Sequence, residues 1–305
     1  MITVVGESLV DVIRRPTGEV STHPGGSPAN VAVGLARLGV QVTFLTSYGD
    51  DGHGAMIARH LRGNGVAVRR ASAEYGTSVA EATIDEAGAA RYVFRIQWRL
   101  DPERPQPPRD SLCLHTGSIA AVLEPGATAV EALVRSARGQ MTVSYDPNCR
   151  PSLMGTPATA RPRIERLVRA SDVVKVSDED LGWLYQGRPY QEVARSWLGY
   201  GPALVIVTRG AHGSYAVAAS GEAQRPASPV SVADTVGAGD AFTAGLLDAL
   251  RQRGLLGAAV RERLRAIPRD TVDAVLAEAG AVAAITVSRP GADPPTAAEV
   301  TTATA

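Results

Sequence analysis

Short apolar runs recur along the chain, each closed by glycine or polar residues. They lie at 2–5, 42–45, 66–68, 112–115, 141–145, 173–176, 203–207 and 214–218. Short and mostly rich in Val, Ile and Leu, they predict buried core strands. Between them the pattern changes to helical. Residues 31–38 end at Gly39, a glycine stop. Further helices are expected at 55–62, from Glu124-Pro125-Gly126 to 138, at 164–170, from the acidic Ser177-Asp178-Glu179-Asp180 to 185, from Ala238 to about 251, and over the Ala-rich 271–286. Ser288-Arg289-Pro290-Gly291-Ala292 ends the last of these, and a Pro-Ala-Thr tail closes the chain. Strand and helix alternating at this spacing predict one α/β domain over 1–305, built on a doubly wound, mainly parallel sheet.

Two stretches break the alternation. Residues 10–23 read as two strands joined by a turn at Pro16-Thr17-Gly18. Residues 79–84 and 91–96 read as a hairpin around Glu86-Ala87-Gly88. Together, as about 10–24 and 77–100, they would form a small β-sheet lid over a cleft, able to exclude water.

Composition narrows the class. The 305 residues are 45% hydrophobic and 20% charged, ordinary globular material. Lys+Arg and Asp+Glu both number 31, so no net charge draws the chain to nucleic acid or an anionic membrane. Two cysteines in separate apolar runs suggest no disulfide framework, which fits a reducing compartment; the cytoplasm is the expected location. The first residues lack a basic leader, and no run approaches the ~20 apolar residues that span a bilayer. Of the 31 basic residues only Lys175 is lysine, which suggests a place where a compact ammonium is needed.

The densest chemistry is Asp234-Thr235-Val236-Gly237-Ala238-Gly239-Asp240 running into an apolar helix. A glycine turn feeding a helix start offers unpartnered N–H groups and the positive end of the dipole, an anion site. Asp240 brings a carboxylate to the same place, as a phosphoryl acceptor site with its own base would. Gly25-Gly26-Ser27-Pro28-Ala29-Asn30 similarly opens the helix ending at Gly39, and Asn30 can both donate and accept to a hydroxylated ligand. Glu7 and Asp11 follow the first strand, at the sheet edge where open α/β folds bind ligands. His115 lies in an apolar run and reads as a core histidine. No G-x-x-x-x-G-K-[ST] occurs, which excludes a P-loop.

Gly25-Gly26-Ser27-Pro28-Ala29-Asn30, with Gly39 and Gly49, resembles the N-terminal signature of the ribokinase-like (PfkB) sugar kinases. Asp234 to Asp240 resembles their C-terminal signature, with Gly49-Asp50-Asp51 and Thr208-x-Gly210 as lesser matches. The resemblance implies a ribokinase-like fold and an ATP-dependent sugar kinase. Asp240 would be the base, and the N–H groups of Gly237, Ala238 and Gly239 the anion hole. Asp11, Gly25, Gly26 and Asn30 would hold sugar hydroxyls. Thr208, Gly210 and Gly213 would lie along ATP, with Lys175, Ser177, Gly237 and Gly239. The family's Asn-x-x-Glu element falls on Ser177 to Asp180, so Asp180 would reach Mg2+ through water. Asp234 and Val236 match a monovalent-cation site, for K+. The helix dipole should keep Asp240 ionised and weakly basic.

Gly6-Glu7 with Asp11, Asp146-Pro147-Asn148 with Arg150, Lys175-Val176-Ser177 and Gly117-Ser118-Ile119-Ala120 look most like fructokinase-type members, implying fructose as substrate. A 2-keto-3-deoxygluconate kinase is the close alternative; Arg95, or Arg14, Arg91 or Arg99, would then meet the substrate carboxylate. A ribokinase or nucleoside kinase and a non-catalytic sugar binder on the same fold are the others. The exposed lid edges could pair two copies into a homodimer.

Overall fold

The computed structural model describes residues 1–71, 74–85, 90–101 and 106–304. In chain order the strands are β1 (Ile2–Val5), β2 (Leu9–Arg14), β3 (Val20–Gly25), β4 (Val42–Thr46), β5 (Ala67–Arg70), β6 (Ser78–Ile84), β7 (Ala90–Arg95), β8 (Cys113–Gly117), β9 (Thr142–Asp146), β10 (Val173–Ser177), β11 (Leu204–Thr208), β12 (Ser214–Ala218) and β13 (Gly221–Arg225). The helices are α1 (Ser27–Arg37), α2 (Gly52–Gly63), α3 (Gly126–Ala137), α4 (Pro151–Met154), α5 (Pro157–Ala170), α6 (Asp178–Leu184), α7 (Tyr190–Leu198), α8 (Ala238–Gln252), α9 (Arg261–Arg265), α10 (Arg269–Val287) and α11 (Ala297–Thr304).

The large sheet runs β13-β12-β11-β10-β9-β8-β1-β4-β5. It is parallel except at the β13 edge, where β12 lies antiparallel to β11 and β13. Strands β1, β4, β8, β9 and β12 are buried at successive positions because both faces are covered. In β11, Leu204 and Ile206 enter one core with α1, α8 and α10, while Val205 and Val207 enter the other with α3, α5, α6 and α7. A doubly wound sheet follows from that two-sided burial. The small sheet has the order β3-β2-β6-β7. Its expected connection at 86–88 lies outside the described residues.

Several boundaries differ from the sequence reading. Helix α5 begins at Pro157, well before 164, because Thr156 caps it by accepting from the Thr159 N–H and proline is at home in a first turn. Helix α7 and strand β13 were not anticipated; β13 is a polar edge with only Ala223 buried. The C-terminal tail ends in α11.

Close packing of α8 sets up the site. A side chain at Gly34 of α1 would meet the Ala244 Cβ at 2.8 Å, and one at Gly245 would meet the Ala279 Cα of α10 at 3.0 Å. Glycine at these two positions lets α8 lie tightly between α1 and α10. The N-terminal turns of α1 and α8 therefore stand side by side at the sheet's carboxyl edge.

Candidate active site

The turn before α8 is stitched in place from both sides. Asp234 accepts from the Val236 N–H (3.0 Å) through one carboxylate oxygen and from the Gly291 N–H (2.8 Å) through the other. The N–H groups of Ala233 and Asp234 both reach the Val287 carbonyl at the end of α10. Gly237 then takes a left-handed conformation (φ 77°), and a side chain there would strike Ala292 at 2.7 Å. Only glycine satisfies both conditions. Gly239 is glycine for a different reason: its φ is helical, but a Cβ would lie 2.9 Å from the Lys175 ammonium. The Ala238 N–H, expected in the anion hole, turns back to Thr235 O over a long 3.3 Å.

Asp240 is buried, and α1 holds it. Ser27 Oγ donates to one carboxylate oxygen at 2.6 Å and Asn30 Nδ2 to the other at 2.8 Å. Asn30 therefore orients the acid through the amide expected to meet a sugar hydroxyl. The expectation of a weakly basic Asp240 needs correction. Burial raises its pKa; the bonds from Ser27 and Asn30 and the charges of Lys175 and Arg150 pull the other way without prevailing. A raised pKa makes Asp240 the better proton acceptor.

Lys175 points up from β10 and pairs with Asp146 of β9 at 2.9 Å, both side chains buried. Burial works against its charge, but the carboxylates of Asp146, Asp240 and Asp180 offset this and raise its pKa. Asp146 is pushed up to about 6 by burial, against the pull of Lys175. The one lysine thus sits in a slot between a carboxylate and the α8 start. His115 is the expected core histidine: buried, bonded to Ser144 Oγ, and pushed down to about 3 by burial and the nearby Lys175 charge.

Asp180 is not free at the cleft. One oxygen accepts from the Cys149 N–H (2.9 Å) and the other from the Ser177 N–H (3.3 Å), while Ser177 Oγ accepts from the Asp180 N–H in return. This reciprocal cap starts α6. Ser177 pairs in register with Thr208. Beyond Thr208, Gly210 (φ 50°) and Gly213 (φ 81°) flank a tight turn. Among the described residues no cluster of three or more His, Cys, Asp or Glu gathers for a metal.

The other wall comes from the small sheet. Asp11 of β2 lies level with His23 and Ala80, and Gly25 leaves room for its carboxylate. Burial lifts Asp11 to about 6, moderated by His23 and Arg150. Gly26 (φ 103°) starts α1, and a Cβ there would meet Glu7 O at 2.8 Å. The first strand's acid is no solvated loop residue: Glu7 is fully enclosed and burial pushes it up to about 8. Arg150 lies within electrostatic reach of Glu7, Asp11 and Asp240. Arg95 is not brought to it. The register puts Arg95 opposite Val79, on the face away from Asp11, and its guanidinium pairs with Glu81 (3.0 Å), as does Arg14. Ser118 (φ 54°) and Asn148 (φ 37°), at the ends of β8 and β9, are non-glycine residues in left-handed backbone, a form of strain that collects at functional sites.

Glu7, Ser27 and Asp146 were not assigned roles from the sequence. Ser27 had a signal in its place beside the glycine pair. The pairing of Asp146 with Lys175 depends on β9 and β10 being neighbours.

A buried carboxyl group at a helix N-terminus, with an ammonium beside it and a polar wall opposite, suits phosphoryl transfer to a hydroxyl. The comparisons agree. The profile of the pfkB family carbohydrate kinases matches residues 1–298. A fructokinase of Rhizobium leguminosarum bv. trifolii is 33% identical over 265 residues, covering 84% of this chain and 81% of the relative. The crystal structure of a Xylella fastidiosa fructokinase with bound ATP superposes with a TM-score of 0.88 at 27% identity, over 99% of this chain and 97% of that one. A Vibrio cholerae O395 fructokinase double mutant with fructose, ADP and potassium gives 0.81 at 26%, over 99% and 98%. The chain belongs to the pfkB family of carbohydrate kinases: it is an ATP-dependent phosphotransferase for a sugar hydroxyl. Among the described residues no helix is long and apolar enough to cross a membrane.

Proposed function

We propose that the protein transfers the γ-phosphoryl group of ATP to the 6-hydroxyl of fructose. The observation that carries the reading is Asp240 clamped by Ser27 and Asn30 at the start of α8. Asp240 takes the proton of the attacking hydroxyl as its oxygen bonds to the γ-phosphorus and the bond to ADP breaks. The N–H groups of Gly237 and Gly239, with Lys175 behind them, meet the charge of the moving phosphoryl group. Such transfer is mainly positioning and charge stabilisation. Asp11 and the Gly25-Gly26 turn hold other sugar hydroxyls, and the small sheet excludes water as a lid. Thr208, Gly210 and Gly213 lie along the nucleotide.

Asp180, with both oxygens already accepting amides, fits Mg2+ that is held chiefly by phosphates and water. Mg2+ would supply charge neutralisation at the phosphates. The Vibrio fructokinase binds potassium, in keeping with the K+ expected here at Asp234 and Val236. Arg14 and Arg95, two of the arginines expected to meet a 2-keto-3-deoxygluconate carboxylate, pair with Glu81 instead.

The test is ADP release with fructose, ribose, 2-keto-3-deoxygluconate and adenosine side by side. Fructose should dominate; a dominant response to another sugar refutes the assignment. Asp240→Asn should lower kcat about 10²–10⁴-fold with ATP binding kept, and unchanged turnover would remove Asp240 from the chemistry.

A further inference from the structure

The backbone of Ala120 is held on both sides of its Cα. Its N–H donates to Glu7 Oε2 at 3.1 Å, and its carbonyl accepts from the Trp98 indole N–H at 3.0 Å. Glu7 follows β1 of the large sheet. Trp98 follows β7, where the small sheet returns to the main body, and is buried against Gly126, which has no room for a side chain beside the indole. Ala120 itself lies in the tight turn after β8, next to the strained Ser118, whose hydroxyl also bonds to Glu7. The Glu7 carbonyl packs against Gly26 at the start of α1. Glu7 thus touches the turn that starts α1 by its backbone, the β8 turn by its buried carboxyl group and, through the backbone of Ala120, the root of the small sheet.

We propose that Glu7, Ala120 and Trp98 form a hydrogen-bonded anchor that fixes the small sheet on the carboxyl edge of the large sheet and thereby sets affinity for the sugar. Glu7 and Trp98 are positioning residues here; they act through Ala120 and the wall carrying Asp11. The affinity part rests on the reading of the small sheet as the lid of a sugar site.

Glu7→Leu removes the acceptor, and Trp98→Phe removes the donor while keeping an aromatic ring. Each should raise the KM for fructose about three- to tenfold, the worth of one hydrogen bond, with the KM for ATP changed less than about twofold. Glu7→Gln keeps a carbonyl acceptor and should restore most of the sugar affinity. The two losses should combine less than additively, since both act through the backbone of Ala120. Amide exchange in β6 and β7 should quicken in Glu7→Leu and Trp98→Phe but not in Glu7→Gln. If Glu7→Leu does not fold, Trp98→Phe carries both readouts alone. Unchanged exchange in a folded variant overturns the anchor. Unchanged fructose KM with quickened exchange overturns its role in affinity. Failure of the kinase reading shows separately, as no sugar-dependent ADP release by the parent protein, and the exchange experiment then still decides the anchor.

Discussion

Gly239→Ala tests how the α8 start is built. In an ordinary helix the change stabilises by about 1 kcal/mol. Here the new methyl would lie 2.9 Å from Lys175 Nζ, so the ammonium must move. An exposed lysine would move at little cost. Lys175 is buried and held by Asp146 at 2.9 Å, and a hydrogen bond to a charged group is worth about 1.5–3 kcal/mol. The balance is a net loss of about 0.5–2 kcal/mol, read as a lower midpoint in denaturant unfolding. In the role proposed for Lys175, the displaced charge would also leave the phosphoryl group, and kcat should fall by at least about tenfold. The control is the same substitution in Lys175→Met, where the methyl meets no ammonium and the helix gain of about 1 kcal/mol should return. The cycle should therefore show a coupling of about 1.5–3 kcal/mol between positions 175 and 239. A Gly239→Ala variant that gains stability equally in both backgrounds, with full turnover, would refute the account of that glycine.

Other outcomes follow from the same contacts. Ser27→Ala removes a donor that lowers the Asp240 pKa, so the acid limb of the kcat/KM profile should move to higher pH; an unmoved limb would detach Ser27 from the base. Glu7 is held up to about 8 in the fold against an ordinary 4.5, so the native state carries an extra proton between these values and stability falls as pH rises through them. Glu7→Gln has no proton to lose. Its melting temperature relative to the parent should therefore climb from about pH 5 to about pH 9, and a flat difference would show that Glu7 is not held protonated. Gly237→Ala meets both a left-handed φ and Ala292, and should destabilise by at least about 1–2 kcal/mol in denaturant unfolding.

Much of the architecture was legible because both sheet faces are covered. Strands buried on both faces are rich in apolar residues, so β1, β4, β10 and β11 stand out, while β9 alternates apolar residues with the buried Thr142, Ser144 and Asp146. Elements that depend on one-sided burial or on caps did not. β13 is polar but for Ala223, and the early start of α5 needed the Thr156 cap and its proline to be recognised together. Asp240, Gly237 and Gly239 could be picked out because a glycine turn at a helix start is a local motif. The residues that complete the site come from distant segments: Ser27 and Asn30 reach Asp240 only because Gly34 and Gly245 let three helices pack closely. Arg95 shows the opposite failure. An arginine on a supposed lid says nothing of which face it takes, and the register turns it away from Asp11 toward Glu81.

The charge balance at the pocket carries the last step. Asp146, Asp180 and Asp240 lie close enough to Lys175 to act on its charge, so one ammonium serves three acids. A triphosphate arriving there would meet an excess of negative groups were all three ionised. Burial relieves part of this by raising the pKa values of Asp146 and Asp240, the former to about 6. The rest must be met by the α8 amides, by Arg150 across the cleft and by a cation entering with the nucleotide. The protein therefore has reason to bind metal–ATP and to exclude free ATP. Free ATP titrated in excess over Mg2+ should fail to protect against thermal unfolding, where the metal complex protects. Equal protection by both would mean that the acids are neutral when the nucleotide binds.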